Sequence, residues 1–465
     1  MRFTKFGKAF CVGALSAGII FGITSCVESY TVGFLFVTGT VTASTGTNGI
    51  ISGYKIDHNT GRLATINGLP VSSGGANPVR AVLTLGSRFV YVLNRGANAG
   101  SGDCYGMGAN QCQSPNITEF AVGGNGILTP QDTFYTQGIN PFRLIVDSTG
   151  SFLLVLDHDA PDSGVTTIVN GVPTNSCTLA LGGSNTTCGD ITVFKIDQTT
   201  GRLSLVVNAQ VTSASGSPLN YFPVPANPVD FVLSGGFVLT LTGAPTPTSY
   251  PYVNGTTVWP YAYGSNGQLT LSQNGLQQLG IGAGTAIINT SNGLYVLDNE
   301  PITIGSSANP IFTPGTYPSQ ILPYTVGSGG ALTIQVSGAI PDGATVGNPI
   351  QLLIESKGHW VYVANLGNNV TGPNPQSNIA GYFLTTSPSF QLSFLNGQPF
   401  GSGSGPQCIV EDPSNQYIYT ANLTDSTITG RALDANSGAL NNLNATSTYT
   451  LQGPATWCFV DGRTG

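Results

Sequence analysis

A short hairpin unit recurs seven times along the chain, and this repetition restricts the possible folds more than any other feature. One copy reads Ile51-Ser52-Gly53-Tyr54-Lys55-Ile56, then the turn Asp57-His58-Asn59-Thr60-Gly61-Arg62, then Leu63. The others start at Ile117, Ile191, Val258, Ile321, Ile379 and Ile428, about 50 to 75 residues apart. Apolar and polar residues alternate on both sides of the turn, the pattern of strands with one buried face. The run Asp-x-x-Thr-Gly-Arg-Leu, at residues 57–63 and 197–203, puts Gly where a turn needs positive φ. Its Asp stands where a carboxylate can take up turn amides.

A second unit lies between successive hairpins. Asn77-Pro78 leads through Gly86 to Phe89-Val90-Tyr91-Val92-Leu93-Asn94. The same frame joins Asn140-Pro141, Gly150 and Leu154-Val155-Leu156-Asp157, and again Asn348-Pro349, Gly358 and Val361-Tyr362-Val363-Ala364-Asn365. Looser versions begin at Asn227-Pro228 and Gly405-Pro406, the latter reaching Asn422, and another covers residues 293–298. Pro opens a strand where its missing N–H is not needed. Two strands per frame and two per hairpin make a four-stranded antiparallel blade, so the repeats predict an all-β, seven-bladed β-propeller. With 63 Gly, 29 Pro and only 8% charged residues, the composition suits turns and strands better than helices.

The final frame, residues 453–462, contains one strand and stops. Phe34-Leu35-Phe36-Val37-Thr38 can supply its neighbour, so N- and C-terminal strands are expected to share one blade and leave no open edge. Residues 26–465 therefore read as one domain, expected to be a monomer. Residues 1–25 read as a lipoprotein signal peptide: a basic start, an apolar stretch over 9–24, then Ile23-Thr24-Ser25-Cys26, which resembles a bacterial lipobox with Cys26 lipidated. The apolar stretch is short for a spanning helix of ~20 residues, so the N-terminal lipid is the expected membrane contact. The protein is expected to be exported and anchored in the cell envelope, in the periplasm or at the cell surface.

Beyond Cys11 and Cys26, six cysteines remain. Short loops close at little entropic cost, which predicts Cys104–Cys112, Cys177–Cys188 and, across two repeats, Cys408–Cys458. A zinc site is disfavoured, because no CxxC occurs and the three His are scattered. Three of the 14 basic residues lie in the first eight positions, and no basic run follows. Phosphate backbones need clustered Lys and Arg, so nucleic acid is not expected as a partner.

The Pro frame with Tyr-Val-x-Asn, alternating with the Asp-x-x-Thr-Gly-x-Leu hairpin, resembles the seven-bladed lactonase family over about residues 30 to 465. That family includes 6-phosphogluconolactonase-like and muconate-lactonizing proteins. The resemblance implies hydrolysis of a sugar-acid-type lactone without a cofactor, on the face where first strands begin and Tyr-Val-x-Asn strands end. It implies His and Arg beside the repeat Pro, and a Glu just after a Tyr-Val-x-Asn strand. Here those positions hold Val79-Arg80, Phe142-Arg143, Val229-Asp230, Ile350-Gln351 and Gln407-Cys408, with no His; Glu300 follows Leu297-Asp298-Asn299. The resemblance implies Arg80, Arg143 and Glu300 as catalytic candidates, and the residues themselves add His158. The candidate binding face on that side adds Asn94, Arg95, Asp157, Asp230, Gln351, Asn365 and Asn422.

Opening a lactone needs a group to activate water and a donor for the oxyanion. His58 and His359 fall in turns. His158, in Asp157-His158-Asp159-Ala160-Pro161-Asp162, follows a Tyr-Val-x-Asn-type strand. Three readings are open for it: a solvated acidic loop, a divalent-cation site on Asp157, Asp159 and Asp162, or an acid–base role. Arg80 and Arg143 occupy equivalent positions in neighbouring blades. They either clamp a carboxylate or phosphate or pair with acids such as Asp230 or Asp157. The function classes are thus a lactone hydrolase and a non-catalytic propeller binding an envelope glycan, peptide or partner protein.

Overall fold

The structure is a computed structural model. It describes residues 30–462 except 44–45, 85, 87, 99–111, 114, 244–254, 273, 282, 291–292, 300–318, 336–337, 343–346, 368–376, 386–390 and 445. Among these residues seven antiparallel sheets form a ring of blades. Blade 1 orders Pro78–Leu83, Phe89–Asn94, Asn116–Val122 and Leu128–Phe134 from the centre outward. Blade 2 orders Ile139–Val146, Phe152–Asp159, Cys188–Ile196 and Leu203–Leu205. Blades 3 to 6 start with the inner strands Pro228–Ser234, Gly284–Thr290, Pro349–Ile354 and Pro406–Glu411. Blade 7 takes its inner strand, Ala455–Asp461, from the C-terminus, and Thr31–Ala43, Gly46–Asp57 and Leu63–Thr65 from the N-terminal part. The expected closure is therefore present, with Phe36 opposite Phe459 and Thr38 opposite Trp457.

Second strands are sandwiched between blades, which explains their unbroken apolar runs: every residue of Phe89–Asn94, Trp360–Asn365 and Tyr417–Asn422 is buried. Their Tyr also joins the two repeat units. Tyr91 donates its hydroxyl to Gly201 O at 2.5 Å, Tyr362 to Gly438 O at 2.7 Å and Tyr419 to Gly61 O at 2.6 Å, each in the hairpin turn of the next blade. Those glycines have φ of 79°, 71° and 65°. A Cβ at Gly61 would lie 2.4 Å from the Tyr417 ring, so this turn requires Gly both for conformation and for space.

Two features depart from simple four-stranded blades. In six blades the outer strand is broken, as where Leu63–Thr65 and Val71–Ser72 both pair with Gly46–Asp57. An outer strand has no second neighbour to hold it straight, and Asn67-Gly68-Leu69-Pro70 interrupts it here. Blade 2 also carries an insertion: a hairpin, Thr167–Val169 with Val172–Thr174, and a six-residue helix, α1 (Ser176–Leu181). Asn175 caps α1 by accepting from Thr178 N, and Cys177–Cys188 ties the insertion to the blade. The second predicted disulfide, Cys408–Cys458, joins the inner strands of blades 6 and 7. Cys104, and with it the third pair, lies outside the described residues, as do residues 1–25 and Cys26. Among the described residues no helix is long and apolar enough to cross a membrane.

Candidate functional site

Each inner strand begins with the same irregularity. Pro78 faces Asn94, but Arg80 faces Leu93, so Val79 is an extra, bulged residue. The skip recurs at Phe142, Val229, Thr285, Ile350, Gln407 and Thr456. The residue before the Pro has positive φ in five of these strands: 51° at Asn77, 59° at Asn140, 57° at Asn227, 67° at Asn348 and 72° at Gly405. Asn and Gly tolerate that region where most side chains do not. The recurring Asn-Pro is thus the local instruction for a bulge, and a bulge re-aims the side chains beside it. Five bulged residues, Val79, Phe142, Val229, Gln407 and Thr456, line a cavity of about 480 Å³ together with Arg80, Arg95, Arg143 and His158.

In five blades the residue after the bulge reaches sideways to bond the neighbouring inner strand. Arg143 Nε donates to Asp230 at 3.1 Å, and Asp230 accepts from Ile287 N at 3.1 Å. Gln351 accepts from Ile409 N at 2.9 Å, Cys408 is bonded to Cys458, and Trp457 Nε1 donates to Ala81 O at 3.1 Å. Between blades 4 and 5 the bulged Thr285 takes this part, donating to Pro349 O. Arg80 is different. Its guanidinium stacks on Trp457, 3.8 Å from the ring centroid, and donates to its own blade at Val79 O, 3.1 Å away. Among the described residues it forms no salt bridge, whereas Arg143 does. Burial first, and Arg143 second, hold Arg80 well below the usual arginine range, opposed by Asp230.

The predicted site residues therefore separate by depth. Arg80, Arg95, Arg143 and His158 converge on one mouth. Asp230 and Gln351 brace blades. Asn94, Asp157, Asn365 and Asn422 do not reach the mouth, since all four are fully buried. The end of a second strand faces the third strand, so Asn94 bonds Asn116 at 2.9 Å and Asn365 bonds Asn378 at 3.0 Å. Asn422 bonds Thr427 at 2.9 Å. Glu300 lies outside the described residues. His158 Nδ1 stands 3.2 Å from Asp159 Oδ2, while Asp162 accepts from Ser176 N at 2.7 Å. The three acids are thus turned to separate tasks, and among the described residues no group of three or more His, Cys, Asp or Glu could hold a metal ion.

Sequence reasoning placed Val79, Phe142, Val229, Ile350 and Gln407 beside the repeat Pro on the site face, but it did not find the bulge they share or the parts of Thr285, Thr456 and Trp457. The available signal was the positive-φ tolerance of Asn in Asn-Pro. What the sequence did locate is charge: with 14 basic residues in all and three in the first eight positions, 11 remain, and three of these line this cavity.

No protein-family model matches the chain, and no curated protein sequence matches it. Solved structures do. A candidate 6-phosphogluconolactonase of Bacteroides fragilis superposes with a TM-score of 0.59 and 14% identity, over 92% of this chain and 98% of that one. The periplasmic gluconolactonase PpgL of Pseudomonas aeruginosa gives 0.57 and 14%, over 92% and 99%. A hypothetical selenium-binding protein of Sulfolobus tokodaii gives 0.57 at 8% identity, over 94% of both chains. These likenesses establish the seven-bladed propeller fold.

Proposed function

We propose that this lactonase-like propeller takes a small lactone, and the carboxylate formed by opening it, into the mouth between its bulged inner strands, at the cell envelope. The observation that carries this reading is Arg80: a recessed guanidinium, stacked on Trp457 beside Arg143, with no salt bridge among the described residues. A buried charge calls for a counter-charge, and a planar guanidinium matches a carboxylate. His158 lines the same cavity. With Nδ1 held toward Asp159, its Nε2 takes the proton as a water oxygen bonds to the lactone carbonyl carbon. The carbonyl electron pair moves onto oxygen, where Arg80 and Arg143 stabilise the charge. That pair returns, the ring C–O bond breaks, and the leaving alkoxide receives the proton from His158. The product is a hydroxy acid; its carboxyl releases the remaining water proton to solvent, and the carboxylate stays beside Arg80. The two disulfides suit an oxidising compartment, in keeping with export.

The test is a panel of lactones and their open acids with the mature chain. Arg80→Ala is expected to weaken carboxylate binding about tenfold or more. His158→Gln is expected to lower turnover about 100-fold while binding persists. Binding without turnover in the wild type would leave a non-catalytic ligand-binding propeller. If neither Arg80→Ala nor Arg143→Ala alters binding, the mouth is not the site.

A further inference from the structure

The buried pair that ends the second strand differs in blade 2. In blades 1, 5 and 6 an amide there bonds a neutral partner, as described above, and in blade 3 Thr242 bonds Thr257. Blade 2 sets Asp157 opposite Asp190. Neither residue has any solvent exposure. Thr192 Oγ1 lies 3.4 Å from Asp157 Oδ2 and 3.3 Å from Asp190 Oδ2. The loop before the blade presses on both: a Cβ on Gly138 would fall 2.0 Å from Asp190 Oδ1 and 2.4 Å from Asp157 Cβ. Oδ1 of each acid has no hydrogen-bond partner among the described residues.

The charges around the pair do not neutralise it. Asp159 and Asp162 add negative charge on its own side. His158 is turned toward Asp159, and on the inner strand Arg143 is paired with Asp230. Lys195 sits at the other end of the third strand, opposite Phe152. Phe222–Pro225, which pairs with the third strand and sets Pro223 opposite Asp190, carries no titratable side chain. Two ionised carboxylates in such a place would repel each other without compensation.

We propose that Asp157 and Asp190 hold one proton between them, and that this acid–carboxylate hydrogen bond latches the third strand of blade 2 to the second. One proton turns two acceptors into a donor and an acceptor, which copies the amide pairs of blades 1 and 5. Burial acts in the same direction, pushing both carboxyls well above the usual carboxylate range. The latch positions His158, the next residue along, and the strand beside Arg143. It sets an alkaline limit on the mouth that is independent of any ligand, because losing the proton places two charges at the joint.

Infrared difference spectroscopy between the wild type and Asp190→Asn tests this. At neutral pH the wild type is expected to show the carbonyl stretch of a protonated carboxyl that the variant lacks. The band should shift when aspartate is labelled with carbon-13, which separates it from buried glutamates, and should vanish in alkaline solution. Unfolding the wild type near pH 7 is expected to release about one more proton than unfolding the variant. Carbethoxylation of His158, read by peptide mass, is expected to rise several-fold at alkaline pH in the wild type but not in Asp190→Asn. If the variant does not fold, the labelled wild type decides alone. Absence of a pH-dependent aspartic acid band would overturn the proposal.

Discussion

Replacing Cys408 and Cys458 together by alanine is expected to lower the unfolding free energy by about 4 kcal/mol. The bond spans 50 residues, and releasing a loop of that length restores roughly this much chain entropy to the unfolded state. Its position adds to the consequence. Both cysteines are buried on inner strands, and Cys458 belongs to the strand that the C-terminus contributes to blade 7. This bond therefore clamps the closing blade to its neighbour, while Cys177–Cys188, separated by 11 residues, only fastens an insertion. Thermal unfolding of the double variant against Cys177→Ala/Cys188→Ala separates the two roles. The ring-closing pair should show the larger loss, and equal midpoints would refute the clamp.

The second large effect is a gain. Glu119→Gln is expected to raise stability by about 2 to 3 kcal/mol above pH 8 and to change it little near pH 4. Glu119 is fully buried between blades 1 and 2, and neither carboxyl oxygen has a hydrogen-bond partner among the described residues. A Cβ on Gly201 of the neighbouring hairpin would lie 2.1 Å from its Oε1. Burial is the main force pushing its pKa up to about 7; Asp132 adds to the shift and Arg202 opposes it. The folded state thus holds this proton more tightly than the unfolded chain. Stability falls as pH rises from the unfolded value through about 7, and the cost is complete above that. Glutamine keeps the shape of the protonated acid and cannot ionise, so the cost disappears. Glu411 rises to about 7 as well, so the decisive quantity is the difference between wild type and variant across pH, not the wild-type curve. A constant offset at all pH values would show that Glu119 acts by packing and not by charge.

Much of the fold was legible because its instructions are local. Alternation with a period of two, Gly in the Asp-x-x-Thr-Gly turn and Asn-Pro at strand starts each act within a few residues, and seven copies reinforce one another. Even the closure by Phe34–Thr38 against residues 453–462 could be read, since an odd strand needs a partner. The insertion with α1 could not be read, because it occurs once and has no repeat to reveal it.

The site was legible as a list of charges and not as an arrangement. Arg80 and Arg143 are equivalent in the repeat, yet one is paired with Asp230, 87 residues away, and the other is stacked on Trp457 from the far end of the chain. Asn94, Asn365 and Asn422 shared a motif and were expected at the mouth, but the strand ends turn them into the blades.

What the sequence determined by itself was the blade, its count, its closing strand and the two disulfides seen here, because repeated short-range patterns and loop lengths carry that information. Which of two equivalent arginines stacks on Trp457 and which pairs with Asp230 was decided only by the tertiary structure, as was the pairing of two aspartates where blades 1 and 5 pair amides. Those outcomes depend on neighbours across blade boundaries, and only closing the ring brings them together.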